Sequence, residues 1–290
     1  MKHAIITGAT GFVGIHLVTE LLAHEVEVTA LCRRESPNLN RLPAGVRIAY
    51  DIDELSRADV FYHLAWEQAS GPGRTDAILQ SKNVELTLNA LNAAHALDAK
   101  FVALGTVYER FFEKARKSTR FSGSNFYILA KDFAHTMSGQ LAYKLDIDFV
   151  WCQICHPIGR YIKPEQLMAY TVSNLLNGNP PSFGPATTLY DIVAVENVAL
   201  GLYLIGKHAA CRREYYIGSG LPMILQDYFE KTRRVLGVDT QLLIGQRPND
   251  GLYLQENWFD ITPLTEDTGY TPVVSFEQAV RNVAKWVKKE

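Results

Sequence analysis

A glycine-rich turn near the N-terminus constrains the fold of this 290-residue chain more than any other feature. Residues 8–14 read GATGFVG and follow a short apolar run at 2–7. At this spacing the first glycine permits a tight turn, the second lets a phosphate approach the backbone, and the third lets a helix pack on a strand. The free N–H groups of that helix would then face a pyrophosphate. The sequence therefore predicts a strand, a turn and a helix that bind a dinucleotide.

Strand and helix signals alternate through the first half of the chain. Apolar or β-branched runs predict strands at 2–7, 26–31, 46–50, 59–65, 100–104 and 148–154. Helical spacing of apolar residues predicts helices at 12–23, 80–97 and 126–145. This alternation is typical of an α/β fold with a doubly wound parallel sheet of the Rossmann type, although it does not reveal the order of the strands.

The regular alternation of strand and helix signals ends after residue 156. Five prolines punctuate 157–185, around one predicted helix near 166–176. A strand-like run at 190–195, a helical segment at 196–206 and a strand-like run at 215–217 follow, and the tail holds short elements and an amphipathic helix at 276–288. We therefore predict a dinucleotide-binding domain of residues 1–156 plus roughly 187–217. A smaller α/β substrate-binding lobe would comprise 157–186 and 218–290.

Composition excludes several classes of protein. The net charge of −2 provides no field for nucleic acid or an anionic membrane, and no apolar run is long enough to span a membrane. Four cysteines are too few for a disulfide framework and favour a reducing, cytoplasmic setting. Residues 151–155, WCQIC, resemble a redox motif, but on a predicted strand their cysteines point to opposite faces. No zinc-ligand spacing is present, so no metal is expected.

The end of the second predicted strand bears on the cofactor. A sheet that binds NAD usually carries an acid there for the ribose 2′-hydroxyl, whereas arginine accepts a 2′-phosphate. This chain has Cys32, Arg33 and Arg34 at that position and no acid. The pattern favours NADP(H), with NAD(H) left open, and the alternative is that both arginines belong to a solvated loop.

Tyr127 and Lys131 form a Tyr-x-x-x-Lys pair in a predicted helix. Their i, i+4 spacing places both side chains on one face. A free tyrosine has a pKa near 10, and an ammonium held nearby would stabilise the phenolate and lower that pKa. The pair therefore predicts proton exchange with a carbonyl or alcohol while a nicotinamide exchanges hydride.

Together these motifs resemble the extended short-chain dehydrogenase/reductase superfamily, and in particular its branch that modifies nucleotide sugars. HLAW at 63–66 is similar to that superfamily's HLAA run, and QICHPIG at 153–159 to its Arg-x-x-Asn-Pro-x-Gly run. GTVYE at 105–109 resembles a Gly-Ser/Thr-x-x-Glu-Tyr strand end, and RPND at 247–250 resembles Arg-Pro-Gly-Asp. The resemblance covers nearly the whole chain.

The resemblance implies a role for each matched residue. Thr106 would orient the substrate oxygen toward Tyr127, with Lys131 as the third member of the triad. His156 and Arg247 would join Thr106 in binding substrate. The implied cofactor-binding residues are Gly8, Thr10, Gly11, Phe12, Val13, Gly14, Arg33, Arg34, Asp51, Ile52, Leu64, Ala65, Trp66, Asn83, Ile154 and His156.

The match has departures. Arg110 stands where the branch has tyrosine, Tyr190 replaces an arginine and Asn197 an aspartate. An alternative alignment makes Tyr108 the tyrosine of the commoner Ser-Ser-x-x-Val-Tyr-Gly run, but it would put Leu104 at the hydroxyl position. Leucine cannot donate a hydrogen bond, so we prefer Thr106.

The resemblance implies an NADP(H)-dependent enzyme that reduces a 4-keto(-6-deoxy) nucleotide sugar. Val107 and Tyr108 replace the Asp-Glu pair of the 4,6-dehydratases, which argues against dehydration. Two alternatives stay open, namely a nucleotide-sugar C4 epimerase that retains NAD and a non-catalytic regulator that senses NADP. The superfamily often dimerises through two long helices, here near 80–97 and 126–145, so a homodimer is expected by resemblance.

Overall fold

A computed structural model describes residues 1–119, 123–208, 214–249 and 251–288 of the chain. The strands are β1 (His3–Thr7), β2 (Glu27–Leu31), β3 (Arg47–Ala49), β4 (Val60–His63), β5 (Lys100–Leu104), β6 (Phe149–Gln153), β7 (His156–Ile158), β8 (Leu189–Tyr190), β9 (Ile192–Ala194), β10 (Glu214–Tyr216) and β11 (Met223–Ile224). The helices are α1 (Phe12–Ala23), α2 (Ala77–Ala96), α3 (Phe112–Lys117), α4 (Asn125–Leu145), α5 (Leu167–Leu176), α6 (Val195–Lys207), α7 (Leu225–Leu236), α8 (Thr262–Thr268) and α9 (Phe276–Val287).

The main sheet is parallel throughout its described strands and has the order β3-β2-β1-β4-β5-β6-β10. Thr7 pairs with Leu31 on one side and with His63 on the other, so β1, β2 and β4 end at the same edge. The chain reverses its direction of winding at β1, and in such sheets ligands bind in the crevice at that switch point. The predicted doubly wound Rossmann-type sheet is confirmed.

The strands are apolar because both faces of the sheet are covered. Alternate residues of β1 enter different cores, with Ala4 and Ile6 on the face covered by α1 and α6 and Ile5 on the face covered by α2 and α4. On the second face, Phe101 of β5 stacks on Phe149 of β6 with 6.2 Å between ring centroids. This two-sided burial holds the strand ends that carry the site.

The C-terminal part of the chain builds a third core. Helices α5, α7 and α9 pack around it with the short parallel pair β7–β9 and the antiparallel pair β8–β11. The strand predicted at 190–195 was wrong in one respect, because Asp191 separates β8 from β9 and the two belong to different sheets. Asp191 is buried there and accepts hydrogen bonds from Tyr216 (2.7 Å) and from Ser219.

Helix α7 was missed in a tail predicted to hold only short elements. Its buried residues are Tyr228, Phe229 and Thr232, at helical spacing, and Gly237 ends it with a left-handed φ of 66°. The 12 residues carry enough charge to mask that stripe in the sequence. No helix in the described ranges is long and apolar enough to cross a membrane.

Helix α1 starts directly at the glycine turn, and its first turn lies in close backbone contact with Gly8. Gly8 has a φ of 74°, and a Cβ added to Gly14 would lie 2.1 Å from the Gly8 carbonyl oxygen. No side chain caps the helix at Gly11, and its first turn holds no acidic residue. The third glycine therefore serves helix-on-strand packing, as predicted from its spacing.

We expect Gly14→Ala to destabilise the fold by about 3 kcal/mol, the upper end of what overpacking costs, because backbone atoms cannot move aside. Urea unfolding followed by circular dichroism measures the change. Gly139→Ala is the matched control, since Gly139 lies inside α4 and an added Cβ meets nothing within 4 Å. That control should gain up to about 1 kcal/mol from helix propensity. Equal stability of the two variants would contradict the packing argument.

Candidate active site

The three residues predicted to be catalytic lie together at the carboxyl edge of the sheet. Thr106 follows β5, while Tyr127 and Lys131 lie one turn apart on α4. All three are buried, and the Thr106 side chain is among the groups that oppose the rise in the pKa of the Tyr127 phenol caused by burial. The preferred alignment therefore brings a hydroxyl to the tyrosine. Leu104, the residue required by the alternative, accepts from the Lys131 ammonium through its carbonyl oxygen at 2.8 Å.

Lys131 is held by the backbone and by an aromatic face. Besides the Leu104 carbonyl, its Nζ lies 3.6 Å from the centroid of the Trp66 ring. Burial lowers the pKa of Lys131 from 10.5 to about 7, and the carboxylate of Glu109 opposes that shift. Burial thus favours the neutral form of the amine, and the bond to the Leu104 carbonyl holds the group in place.

The pKa of the Tyr127 phenol is raised, whereas the sequence predicted that it would be lowered. Burial is the largest influence and raises its pKa, and the Glu109 carboxylate raises it as well. The cation that counters this effect is Arg74, whose Cζ lies 4.1 Å from the centroid of the Tyr127 ring. The expected lowering of the pKa of Tyr127 by Lys131 is therefore not what dominates in this structure, because the ammonium is directed at Leu104 and Trp66.

The buried carboxylate of Glu109, which had no predicted role, connects several residues at this end of β5 and β6. Glu109 is 2% exposed and accepts from the indole Nε1 of Trp151 at 2.9 Å and from the amide of Gln153. It also accepts from the backbone N–H of Thr106 at 3.3 Å and completes a capping box with that residue. His135 of α4 lies 3.2 Å away. The Thr-x-x-Glu spacing was the available signal, since it is that of a capping box.

The glycine turn meets the loop that follows β4. A Cβ on Gly8 would lie 2.7 Å from the backbone nitrogen of Ala65, and Leu64 N donates to the Thr7 carbonyl at 3.1 Å. The uncapped start of α1, with Phe12 and Val13 in its first turn, opens at the same edge. These groups fit a pyrophosphate, because the helix N-terminus supplies partial positive charge and unpaired donors.

Asn83 acts on that loop from α2. Its Oδ1 accepts from Glu67 N at 2.8 Å and its Nδ2 donates to Glu67 O at 3.0 Å. Both bonds are to the backbone directly after Trp66, so Asn83 holds the loop in place. The resemblance placed Asn83 among the cofactor-binding residues, and in the structure its side chain supports the loop after β4.

The residues predicted to face the adenosine end lie at the surface. Arg33 pairs weakly with Glu67 at 3.7 Å, and Arg34 stacks on Tyr50 with Cζ 4.7 Å from the ring centroid. Asp51 accepts from Asp53 N at 3.3 Å and caps the 3₁₀ turn that begins at Ile52. Asp51, which the resemblance placed among the cofactor-binding residues, thus caps a turn in this structure.

Ser36 was missed by the sequence analysis. Its hydroxyl lies 3.0 Å from that of Thr10 and joins the segment after Arg34 to the glycine turn. A short polar side chain at a turn gives no distinctive sequence signal, so only the fold could reveal this contact.

His156 opens β7, just beyond Ile154. Its Nε2 is buried and has no hydrogen-bond partner, and burial lowers the pKa of the ring to about 4, so the imidazole is neutral. The ring meets Tyr190 edge-on, and the Tyr190 hydroxyl lies 2.5 Å from that of Tyr108. A buried polar atom without a partner is costly, which suits a site that a ligand completes.

Tyr190 also belongs to the wall of a cavity of about 190 Å³ that contains Arg247. Arg247 donates to Ser182 Oγ and to the Tyr170 hydroxyl, each at 2.9 Å. The guanidinium is thus fixed by neutral groups, which leaves its charge available to an anion. Asp250, the last residue of the RPND run, lies outside the described residues.

The cysteines and other metal-ligating side chains form no second centre. Within the described ranges, no group of three or more His, Cys, Asp or Glu residues could hold a metal ion. Cys152 and Cys155 are buried in different cores, and burial raises the pKa of both thiols well above the ordinary value. Thiols of this kind are inert. The fourth cysteine, Cys211, lies outside the described residues.

The parallel sheet, with the predicted site at the carboxyl ends of its strands, agrees with a known family of enzymes. Residues 4–218 match the model of the NAD dependent epimerase/dehydratase family, and the chain belongs to that family. The predicted membership of the extended short-chain dehydrogenase/reductase superfamily, and with it an NAD(P)-dependent enzyme, is confirmed.

Individual relatives are distant but match along their whole length. CDP-abequose synthase of Salmonella muenchen is 23% identical over 290 residues, which cover 97% of each chain. The UDP-N-acetylglucosamine 4-epimerase from Methanobrevibacter ruminantium M1, solved with UDP-N-acetylmuramic acid, has a TM-score of 0.83 at 19% identity over 99% of this chain and 98% of its own. The Bordetella bronchiseptica enzyme WbmF, solved with NADH, has a TM-score of 0.81 at 19% identity over 99% and 92%. The two structures establish the shared fold.

The buried amine of Lys131 predicts a pH-dependent stability. Its pKa is about 7 when folded against an ordinary 10.5, so the unfolded chain binds more protons between these values. Wild-type stability therefore rises with pH across that window, by up to about 1.4 kcal/mol per unit from this group.

Lys131→Met lacks this contribution. We expect its unfolding midpoint to exceed that of the wild type most at pH 6 and by less as pH rises toward 10, as measured by urea unfolding at a series of pH values. Lys117→Met, which removes a lysine side chain that is 73% exposed, should show no such trend. A constant difference across the series for Lys131→Met would refute the shift.

Proposed function

We propose that this chain is an NADP(H)-dependent reductase of a 4-keto nucleotide sugar, with Thr106, Tyr127 and Lys131 as its catalytic triad. The observation that carries the proposal is the convergence of three buried side chains, Thr106, Tyr127 and Lys131, at the carboxyl edge of the sheet, with Tyr127 and Lys131 one helical turn apart. Two hydroxyls in this arrangement can bind one carbonyl oxygen, and one of them can give it a proton.

The nicotinamide supplies the hydride when it is bound. Thr106 and Tyr127 donate hydrogen bonds to the keto oxygen and polarise the carbonyl. As the carbon accepts the hydride, the Tyr127 hydroxyl transfers its proton to the oxygen, so that one hydride and one proton convert the ketone to an alcohol. The phenolate that remains is stabilised by the nearby cations until solvent returns a proton.

Other residues would bind the two ligands. The start of α1, together with the loop of Leu64 to Trp66, would hold the cofactor pyrophosphate and ribose, and Ile154 and His156 would border the nicotinamide. Neutral His156 would donate to or accept from the sugar, while Arg247 would pair with the diphosphate of the substrate. The name of the relative in Salmonella muenchen makes a CDP-linked keto sugar the first substrate to assay.

Tyr127→Phe tests the triad directly. We expect turnover of a keto-sugar nucleotide to fall by about three orders of magnitude, because a general acid contributes 10²–10⁴-fold, while NADPH affinity is unchanged. Stopped-flow oxidation of NADPH and fluorescence titration measure the two quantities. Tyr143→Phe, at an exposed position of the same helix, is the control and should keep full activity. Retained turnover in Tyr127→Phe would sink the mechanism.

The preference for NADP(H) is supported by Arg33, Arg34 and the absence of an acid at the end of β2. The contact of Arg33 with Glu67 is long and exposed, so a 2′-phosphate can displace it. Ser36, fixed beside the glycine turn by Thr10, would add a hydroxyl donor to the same phosphate.

We expect the wild type to bind NADPH more tightly than NADH. Replacing both Arg33 and Arg34 by alanine should weaken NADPH binding on the order of 10–100-fold, the worth of a charge-assisted contact, and leave NADH affinity unchanged. Calorimetric titration of the apo-protein gives both constants. Equal wild-type affinities, or a parallel loss for NADH, would refute the role of the arginines.

A C4 epimerase is the second candidate, because the structural relatives include such enzymes by name. It would use the same triad twice on a retained NAD, which the arginines argue against. Mass spectrometry of the nucleotide that co-purifies separates the two, since retained NAD favours the epimerase. A third candidate, a regulator that senses NADP, would bind cofactor without turnover, and the intact Tyr127–Lys131 pair argues against it.

Dehydration has less support. Val107 and Tyr108 offer no acid, and the neighbouring carboxylate of Glu109 is buried and already bound by Trp151 and Gln153.

We also propose a homodimer through α2 and α4. A groove of about 520 Å³ runs between these helices, and most of its lining is apolar, including Val84, Leu88 and Leu129. Phe133 also lines it and is 52% exposed. A second copy would cover this face, and the solution mass would then be twice 32.5 kDa. We keep the division into the two lobes set out above as a proposal. The third core holds most of the predicted smaller lobe, and it also takes in Val107, Phe111 and Ile128 of the predicted dinucleotide-binding domain.

A further inference from the structure

Arg74 stands directly over the tyrosine of the site. It belongs to a 3₁₀ turn, Pro72–Thr75, between β4 and α2. Its Cζ lies 4.1 Å from the centroid of the Tyr127 ring and 5.8 Å from that of Tyr108. No motif in the sequence marks this residue, because its turn lies in a segment without periodic structure. The fold alone places a guanidinium on the catalytic ring.

The turn that carries Arg74 is braced. Gln80 of α2 donates to the Gly73 carbonyl at 3.0 Å, and Thr75 Oγ donates to the Pro72 carbonyl at 2.7 Å. Gln80 is itself fixed, since it accepts from the Trp66 indole at 2.9 Å. Trp66 in turn meets Tyr127 edge-on. The guanidinium is therefore positioned by the same loop that borders the site.

The charge of Arg74 is not neutralised by a neighbour. Its Nε is buried and lacks a hydrogen-bond partner, and across the described ranges no carboxylate forms an ion pair with it. The nearest acids in sequence are otherwise engaged: Asp76 caps α2 at Leu79 N, and Glu67 meets Arg33. A cation without a counter-ion keeps its charge for the group it faces, and partial burial limits how far solvent screens it.

We propose that Arg74 is a positioning residue of the active site, whose unpaired guanidinium supports the phenolate form of Tyr127. This inference rests on the proposed function, in which Tyr127 gives up its proton. It assigns to Arg74 the electrostatic task that the Tyr-x-x-x-Lys pattern alone would assign to Lys131. Arg74 touches the catalytic ring and acts through it.

Among the described residues, four charged or hydrogen-bonding groups bear on Tyr127. Arg74 approaches from the 72–75 turn and Thr106 from the end of β5, and both lower the pKa of the phenol. Glu109, from the 3₁₀ turn after β5, raises it. Lys131 shares α4 with Tyr127, but its ammonium is held by Leu104 O and the Trp66 ring. Arg74 is the charged group among these that can offset burial.

The test is a titration of the phenol in the full-length protein without cofactor or substrate. Difluorotyrosine is incorporated at position 127 alone, which lowers the phenol pKa into an accessible range, and ¹⁹F NMR follows its ionisation. In Arg74→Gln the midpoint should rise by about one pH unit, the lower end of the effect of an opposite charge at this distance. Arg74→Lys keeps the charge and should retain a midpoint below that of Arg74→Gln.

Arg41→Met is the matched control. Arg41 stacks over a different tyrosine, Tyr161, with Cζ 5.3 Å from the ring centroid, so its loss should leave the midpoint unchanged. Both variants remove the guanidinium, but only Arg74→Lys keeps a positive charge at this position. Identical ionisation midpoints in the two variants would therefore overturn the proposal, even if both proteins are less stable than the wild type. The titration does not depend on turnover, so its result is independent of the reductase assay. If the midpoint shifts but the separate assay finds no reductase activity, the proposed function is rejected and the effect of Arg74 on the phenol stands.

Discussion

The site depends on one buried carboxylate. Glu109 joins the end of β5, through the backbone N–H of Thr106, to Trp151 and Gln153 on β6. Gly105 is required for this approach, because a Cβ there would lie 2.1 Å from Trp151 Nε1. A buried charge is tolerated only when hydrogen bonds satisfy it. Here they do, and the bonds fix the turn that presents the Thr106 hydroxyl.

Burial at this edge also determines the proton affinities. It raises the pKa of Tyr127 and lowers those of Lys131 and His156, because it disfavours the charged form of each group. A phenol that gives up a proton, as proposed for Tyr127, needs a counterbalancing cation, and the guanidinium of Arg74 lies over its ring. The site therefore combines neutral hydrogen-bonding groups with a few unpaired charges, an arrangement that suits a polar ligand entering from the crevice.

The motifs with strict geometry were predicted well. The glycine turn, the Tyr127–Lys131 pair and the end of β5 each require particular residue types at particular spacings, and the structure brings the last two together at the edge where the turn opens. The prediction was weaker where a residue type serves several purposes. Glu109 entered the sequence comparison only as part of the GTVYE match, and Asp51, listed with the cofactor-binding residues, caps a turn. Helix α7 was missed because its charged residues obscure a narrow apolar stripe.

The sequence by itself determined the fold class and pointed to the residues of the proposed dinucleotide turn and triad, because each pattern depends on the spacing of residues in the chain or on periodic burial. Only the tertiary structure decided which charges meet. Arg74 lies 53 positions before Tyr127 in the printed sequence, and Glu109 lies 42 positions before Trp151. Hydrogen bonds and Coulomb interactions act over a few ångströms in space, regardless of separation along the chain. Which cation supports the catalytic phenol therefore depends on how the loops converge at the sheet edge.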